Sequence, residues 1–172
     1  MTHKAQMVLG TLTRSQFEVK VFDHAPETVA SVGGGTLEST ARPVFYLSGS
    51  PWNLHQRIAG AFAQAKLPVG SMILRSYSRE PLDAYQYKHP HLEELFKAFP
   101  HRKWVLFGDS GEKDPEVYAD LRKAHPEQVA HIYIHNATNA KPTEARFKDM
   151  TTFINWADVA KDPSFGAYVW KQ

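Results

Sequence analysis

The stretch Trp104-Val-Leu-Phe-Gly-Asp-Ser-Gly-Glu-Lys-Asp-Pro-Glu116 decides how this chain folds. Its apolar beginning has strand length and ends in Gly108-Asp109, and Asp114 stands where the next helix begins. In a parallel sheet this places both carboxylates at the carboxyl edge, where open α/β folds bind their ligands. Gly108 lets a ligand or metal approach the backbone closely. A pair of oxygen ligands suits a hard cation such as Mg²⁺, which completes its shell with water and phosphate. Asp114, before Pro115 and Glu116, also reads as a helix cap, and Asp109 as a turn former. The structural and functional accounts are compatible.

The same alternation continues on both sides. Val44 to Leu47 reads as a strand ended by Ser48-Gly49-Ser50, with Ser50 capping a helix that Pro51 begins. Leu54, Ile58 and Phe62 follow at four-residue spacing. Val69 to Leu74 is the next strand. A loop rich in Arg, Ser and Tyr then leads to a helix from about His89 to Phe99, its buried stripe formed by Leu92, Leu95, Phe96 and Phe99. A strand from Lys103 to Phe107 precedes the helix that carries Val117, Tyr118 and Leu121, and Val129 to Ile134 supplies a further strand. The tail reads as a short helix over Phe153 to Ala160 and an aromatic segment from Phe165 to Trp170. Near the start, Phe17 to Phe22 alternates as a short strand followed by Asp23, and Val32 to Thr36 reads as a loop. This order predicts an α/β fold, a three-layer sandwich around a mostly parallel Rossmann-like sheet with right-handed crossovers. Its 172 residues suit one domain spanning 1–172.

Twenty basic against eighteen acidic side chains create no global field that points to nucleic acid. The absence of cysteine removes disulfides, zinc thiolates and a thiol nucleophile, and is compatible with a reducing, cytoplasmic setting. The first sixteen residues make a poor signal peptide, and no segment approaches the roughly 20 apolar residues of a spanning helix. Membrane contact is expected to be peripheral at most.

Several other side chains could carry chemistry. The Ser48 hydroxyl and neighbouring N–H groups could hold a phosphoryl oxygen at a strand end, whereas Leu-Ser-Gly-Ser-Pro lacks the neighbours of a hydrolase nucleophile elbow. Lys88 reads as standing just before a helix at that same edge, where it would neutralise a carboxylate–phosphate cluster; the plainer reading is a solvated lysine. Arg75 and Arg79 are candidate contacts to an anionic substrate. The histidines make no convincing metal set. The four tryptophans read as core or docking aromatics, with Trp52 a candidate for lining a pocket beside Ser48.

Phe45-Tyr-Leu-Ser-Gly-Ser-Pro-Trp-Asn-Leu54, Ile73-Leu-Arg75, Lys88 and Phe107-Gly-Asp-Ser-Gly-Glu-Lys-Asp-Pro-Glu-Val-Tyr118 together resemble the catalytic domain of the actin-patch-associated phosphatidate phosphatases. That family has the haloacid dehalogenase-like fold, and the resemblance covers roughly residues 43 to 165. It implies a Mg²⁺-dependent hydrolase of phosphate monoesters, with a phosphorylated small molecule or a lipid headgroup as substrate. Ser48 would then help bind the phosphate, Lys88 would stabilise charge, and Asp109 and Asp114 would serve the metal site. The family's first motif, Asp-x-Asp-x-Thr, has no match here. The nearest segment is Asp23-His-Ala-Pro-Glu-Thr28, with Ala25 where the proton-donating Asp belongs. Residues 1–42 are accordingly read as a divergent or truncated N-terminal part, and Asp23 as the substitute nucleophile of an impaired enzyme. The alternative is a non-catalytic haloacid dehalogenase-like domain that binds a phosphorylated ligand or a protein partner. Oligomeric state is left open.

Overall fold

A computed structural model describes residues 21–33 and 42–169. They fall into two compact units, one formed by residues 77–154 and the other by the described residues on either side of that stretch. Both are mixed α/β, and every strand pair is parallel, as the alternation predicts.

In the first unit, helix α1 (Ala25–Gly33) is followed by strand β1 (Phe45–Pro51), helix α2 (His55–Gln64) and strand β2 (Ser71–Arg75). The four-residue helix α5 (Trp156–Val159) and a 3₁₀ turn, Phe165–Ala167, follow later in the chain. β1 pairs with β2, with an irregularity between Ser48 and Pro51. Gly70 is required where the chain enters β2, because a Cβ there would lie 2.5 Å from the Val44 carbonyl oxygen. Behind the sheet the Tyr46 ring meets Phe62 edge-on at 5.0 Å, and its hydroxyl donates to the Pro68 carbonyl at 2.7 Å. Burial pushes that phenol up to about 12, because the phenolate would lose its hydration.

Three expectations change in this unit. The strand predicted over Phe17–Phe22 lies largely outside the described residues, and Val21 and Phe22 carry no strand. Val32 and Gly33 end α1 rather than opening a loop. β1 runs on through Ser48, Gly49 and Ser50, so Ser50 caps no helix and Pro51 begins none. Ser50 is already committed: its N–H donates to Ser48 Oγ at 3.2 Å, and the two hydroxyls are 3.1 Å apart. A single 3₁₀ turn, Trp52–Leu54, then leads into α2.

The second unit holds helix α3 (Ala84–Ala98), strand β3 (Trp104–Asp109), helix α4 (Asp114–Ala124) and strands β4 (Val129–His135) and β5 (Thr151–Phe153). The sheet order is β3-β4-β5, which brings Asp109, His135 and Phe153 into register at the carboxyl edge. β5 was not expected, since three residues carry almost no period-two signal. Phe153 belongs to it rather than to a helix, and its side chain is buried.

α3 begins five residues earlier than its sequence suggests. Asp83 caps it by accepting the Gln86 N–H at 2.9 Å, which satisfies one of the helix's orphan donors. Pro90 lies inside the helix and forgoes one hydrogen bond. Lys88 is therefore not a loop residue. It extends the stripe of Leu92 and Phe96 back by one helical step and is buried with them. The opposing stripe, on α4, runs Asp114, Val117, Tyr118, Leu121. The two helices pack together, and Phe96 also stacks on Trp104 at 5.3 Å. Each fully buried aliphatic here contributes about 1.5–3 kcal/mol. The charged pair stands at one end of this apolar seam.

Candidate active site

The cluster of the second unit is built where β3 gives way to α4. Asp109 is the last residue of β3 and is 7% exposed; Asp114 is the first of α4 and is 1% exposed. Burial of an unpaired carboxylate would cost several kcal/mol, so each must be compensated. Asp114 Oδ1 forms a short ion-paired contact with Lys88 Nζ, and Oδ2 accepts the Asp109 N–H at 2.9 Å. The Asp114 side chain therefore does not cap α4, contrary to the helix-cap reading, and the capping position belongs to Lys113. Its place in the first turn still favours a negative charge through the helix dipole.

Gly108 makes this contact possible. A Cβ there would come within 2.7 Å of Asp114 Cβ and 2.6 Å of Tyr118 Cε2. The glycine thus admits a carboxylate against the strand backbone. The Tyr118 hydroxyl reaches over to donate to the Phe107 carbonyl at 2.9 Å.

Lys88 is 2% exposed, and its ammonium also lies 3.2 Å from Glu112 Oε2. The solvated-lysine reading is thereby replaced by a buried, doubly paired cation. Asp109 is oriented by different groups. Its Oδ1 accepts the Gly111 N–H at 2.6 Å, and its Oδ2 lies 3.1 Å from Nδ1 of the buried His135. Ser110, also buried, shares a hydrogen bond with Thr138 Oγ1 at 2.9 Å.

The structure thus brings Lys88, Asp109 and Asp114 together in the second unit. Asp23 and Ser48 belong to the first. Asp23 is an exposed turn residue ahead of α1, followed by His24 with a left-handed φ of 65° and by the buried Ala25. Ser48 is half-buried within β1. Beside it the Arg75 guanidinium lies 3.3 Å from where a Cβ on Gly49 would stand, and Arg75 is 5% exposed. Arg79 is exposed, and Trp52, at 64% exposure, belongs to no core. Sequence reasoning missed Glu112 and Arg146 and gave His135 no role. The signal for His135 is its place at the carboxyl end of the strand after β3, which matters only once β3 and β4 are known to be neighbours.

The electrostatics set what the cluster can do. Glu112 and Asp114 meet the Lys88 ammonium, and Asp109 adds a third carboxylate to the same loop, a set of oxygen groups of the kind a hard cation uses. Among the described residues no group of three or more His, Cys, Asp or Glu is placed to hold a metal by itself. Each Asp109 oxygen has one protein donor and keeps a lone pair, so Asp109 fits as a single carboxylate ligand. Asp114 likewise has one donor on each oxygen, but at 1% exposure against 7% for Asp109 it fits as a ligand through water or as support for its neighbours.

A sequence model of the family described as phosphatidate phosphatase APP1, catalytic domain, matches residues 1–136. The chain belongs to this family. The match takes in the residues before position 43, beyond the reach of the motif resemblance, and ends just past β4. Among curated proteins, the phosphatidate phosphatase APP1 of Saccharomyces cerevisiae is 31% identical over 101 residues, 56% of this chain and 17% of that protein. An uncharacterized protein of Schizosaccharomyces pombe is 31% identical over 100 residues, 54% of this chain and 16% of that protein. The matched stretch is thus about a sixth of the length of either relative. No solved structure matches the chain. No helix among the described residues is long and apolar enough to cross a membrane.

Proposed function

We propose that the chain is a Mg²⁺-dependent phosphomonoesterase domain acting on a lipid headgroup phosphate or a small phosphorylated molecule. One observation carries this reading: the Lys88 ammonium is buried between Asp114 and Glu112 beside the strand-end carboxylate Asp109. A desolvated cation fixed in place before the reaction is what stabilises charge on a transferring phosphoryl group, because no reorganisation is needed at the moment of transfer. Membership of the phosphatidate phosphatase family supports the same reading.

In this assignment Asp109 is the direct protein ligand of Mg²⁺. Asp114 fixes both the backbone of Asp109 and the ammonium of Lys88. When bound, the metal neutralises phosphoryl oxygens and orients the substrate. Ser48 is assigned a hydrogen bond to a phosphoryl oxygen. Asp23 is assigned the nucleophilic role: its carboxylate oxygen bonds to phosphorus as the ester P–O bond breaks, the alkoxide leaves and takes its proton from water, and water then hydrolyses the acyl phosphate to release phosphate and restore the carboxylate. Ala25 cannot protonate the departing alkoxide, so the enzyme is an impaired one.

One observation favours a second reading, a non-catalytic domain that binds a phosphorylated ligand or a protein partner. Asp23 is exposed in a turn, and an apolar side chain fills the place of the acid. Phosphate release from an activated aryl phosphate and from phosphatidate, with and without Mg²⁺, separates the two. General acid assistance contributes about 10²- to 10⁴-fold, so the aryl ester should react faster by a factor in that range. Release should also disappear in Asp23→Asn. Undetectable release, or release that survives both Asp23→Asn and Asp109→Asn, passes the case to the binding reading.

A further inference from the structure

We propose that Arg146 is a positioning residue for the candidate active site: it clamps the loop between Asp109 and Asp114 and so orients the Asp109 carboxylate. Its catalytic consequence rests on the phosphatase reading; its structural content does not. Arg146 lies beyond the residues that match the family.

The side chain reaches back from the 3₁₀ turn Ala145–Phe147 to three acceptors. Nη1 donates to the Ser110 carbonyl at 3.1 Å, and Nη2 donates to the Glu112 carbonyl at 2.8 Å and to Glu116 Oε2 at 3.0 Å. Phe147, 2% exposed, anchors the turn, and its ring centroid lies 5.4 Å from the guanidinium carbon.

The carbonyl of Ser110 and the N–H of Gly111 belong to one planar peptide group, so holding one end fixes the other. Arg146 holds the carbonyl end, and the N–H end donates to Asp109 Oδ1 at 2.6 Å. The orientation of Asp109 therefore passes through this peptide to Arg146. The second clamped carbonyl belongs to Glu112, whose carboxylate meets Lys88. A planar guanidinium can span two carbonyls and a carboxylate at once, whereas an ammonium concentrates its donors at one point. Arg146 makes these contacts through the loop backbone and Glu116.

The test uses the full chain with Arg146→Met and Arg146→Lys. Amide hydrogen exchange at Gly111 is read beside the thermal midpoint, and kcat and KM are measured on an aryl phosphate with Mg²⁺. Both substitutions should lower protection at Gly111 about tenfold or more. They should reduce kcat about 10- to 100-fold, the usual loss when a partner that orients a metal ligand is removed. KM should move little. Full recovery of protection in Arg146→Lys would show that charge alone suffices and would overturn the clamp. Unchanged Gly111 protection in both variants, or an unchanged kcat in an active enzyme, would do the same. Glu116→Gln keeps both carbonyl bonds and should leave Gly111 protected; deprotection equal to that of Arg146→Lys would assign the effect to the ion pair and overturn the proposal. It also serves if Arg146→Met fails to fold. Should the wild type release no phosphate, the phosphatase reading fails, and the exchange measurement alone decides the clamp.

Discussion

The Ser48 stretch of β1 and the end of β3 at Asp109 have similar compositions, serine and glycine after an apolar run, but they are held differently. At Ser48 the hydroxyl meets the N–H and hydroxyl of Ser50, and β1 shifts its register on β2 between Ser48 and Pro51. At Asp109 the ties come from four other elements. α3 contributes Lys88 to Asp114, β4 contributes His135, the loop after β4 contributes Thr138, and a later 3₁₀ turn contributes Arg146. Similar local chemistry can thus end in an irregular stretch of strand or in a buried, charged junction. Which outcome occurs depends on whether distant residues are available to compensate buried charge.

The largest expected difference between the two regions is energetic. Lys88→Met leaves Asp114 buried without its ammonium, and breaking a buried pair by removing one partner costs about 3–5 kcal/mol. Urea denaturation should show a loss of that size. Ser48→Ala, which removes only a local hydrogen bond, should cost about 0.5–1.5 kcal/mol. Equal losses would mean that the charged junction is no more demanding than the irregular stretch.

The glycines extend the contrast at smaller magnitude. Gly108→Ala forces a methyl against Tyr118 and Asp114 and should cost about 1–3 kcal/mol. Gly49→Ala meets only the end of the Arg75 side chain, at 3.3 Å, a contact that a shift of a few tenths of an ångström relieves. Its midpoint should move less than that of Gly108→Ala.

These contrasts also show what was legible beforehand. The α/β class and most elements could be read because apolar strands and amphipathic helices have different periods. The position of Asp109 at a strand end could be read too, from Gly108 and the run before it. The caps could not. Ser50 and Asp114 both carry the right local signal for a helix N-terminus, and both side chains are used elsewhere. Lys88 was misplaced because the helix was begun at His89 rather than Ala84, while its four-residue step to Leu92 and Phe96 already marked it as stripe. Arg146 is thirty-six residues from Ser110, a pairing that no local pattern specifies.

The smallest expected effect concerns pH. Burial tends to raise the Glu93 carboxyl, but the hydrogen bond and charge of His125 and those of Lys97 outweigh it and hold the group below its ordinary value. A depressed folded value means that the ionised form supports the fold above the ordinary carboxylate range, and that this support is lost as pH falls through the folded value. Glu93→Gln should therefore flatten a shallow acid limb of stability below about pH 4.5 and change little near neutrality. A midpoint equally displaced at every pH would show that Glu93 acts through packing instead.

Phosphate release from an aryl phosphate in the presence of Mg²⁺, compared between wild type and Asp109→Asn at matched thermal midpoints, bears most directly on whether the Asp109–Lys88–Asp114 junction is a phosphatase site. The asparagine keeps the shape and a hydrogen-bond acceptor but loses the charge that would hold the metal. The expected result is magnesium-dependent release by the wild type, reduced at least about 100-fold in the variant, in line with the loss of a directly stabilising group. Equal release from both proteins, or none from either, would contradict it.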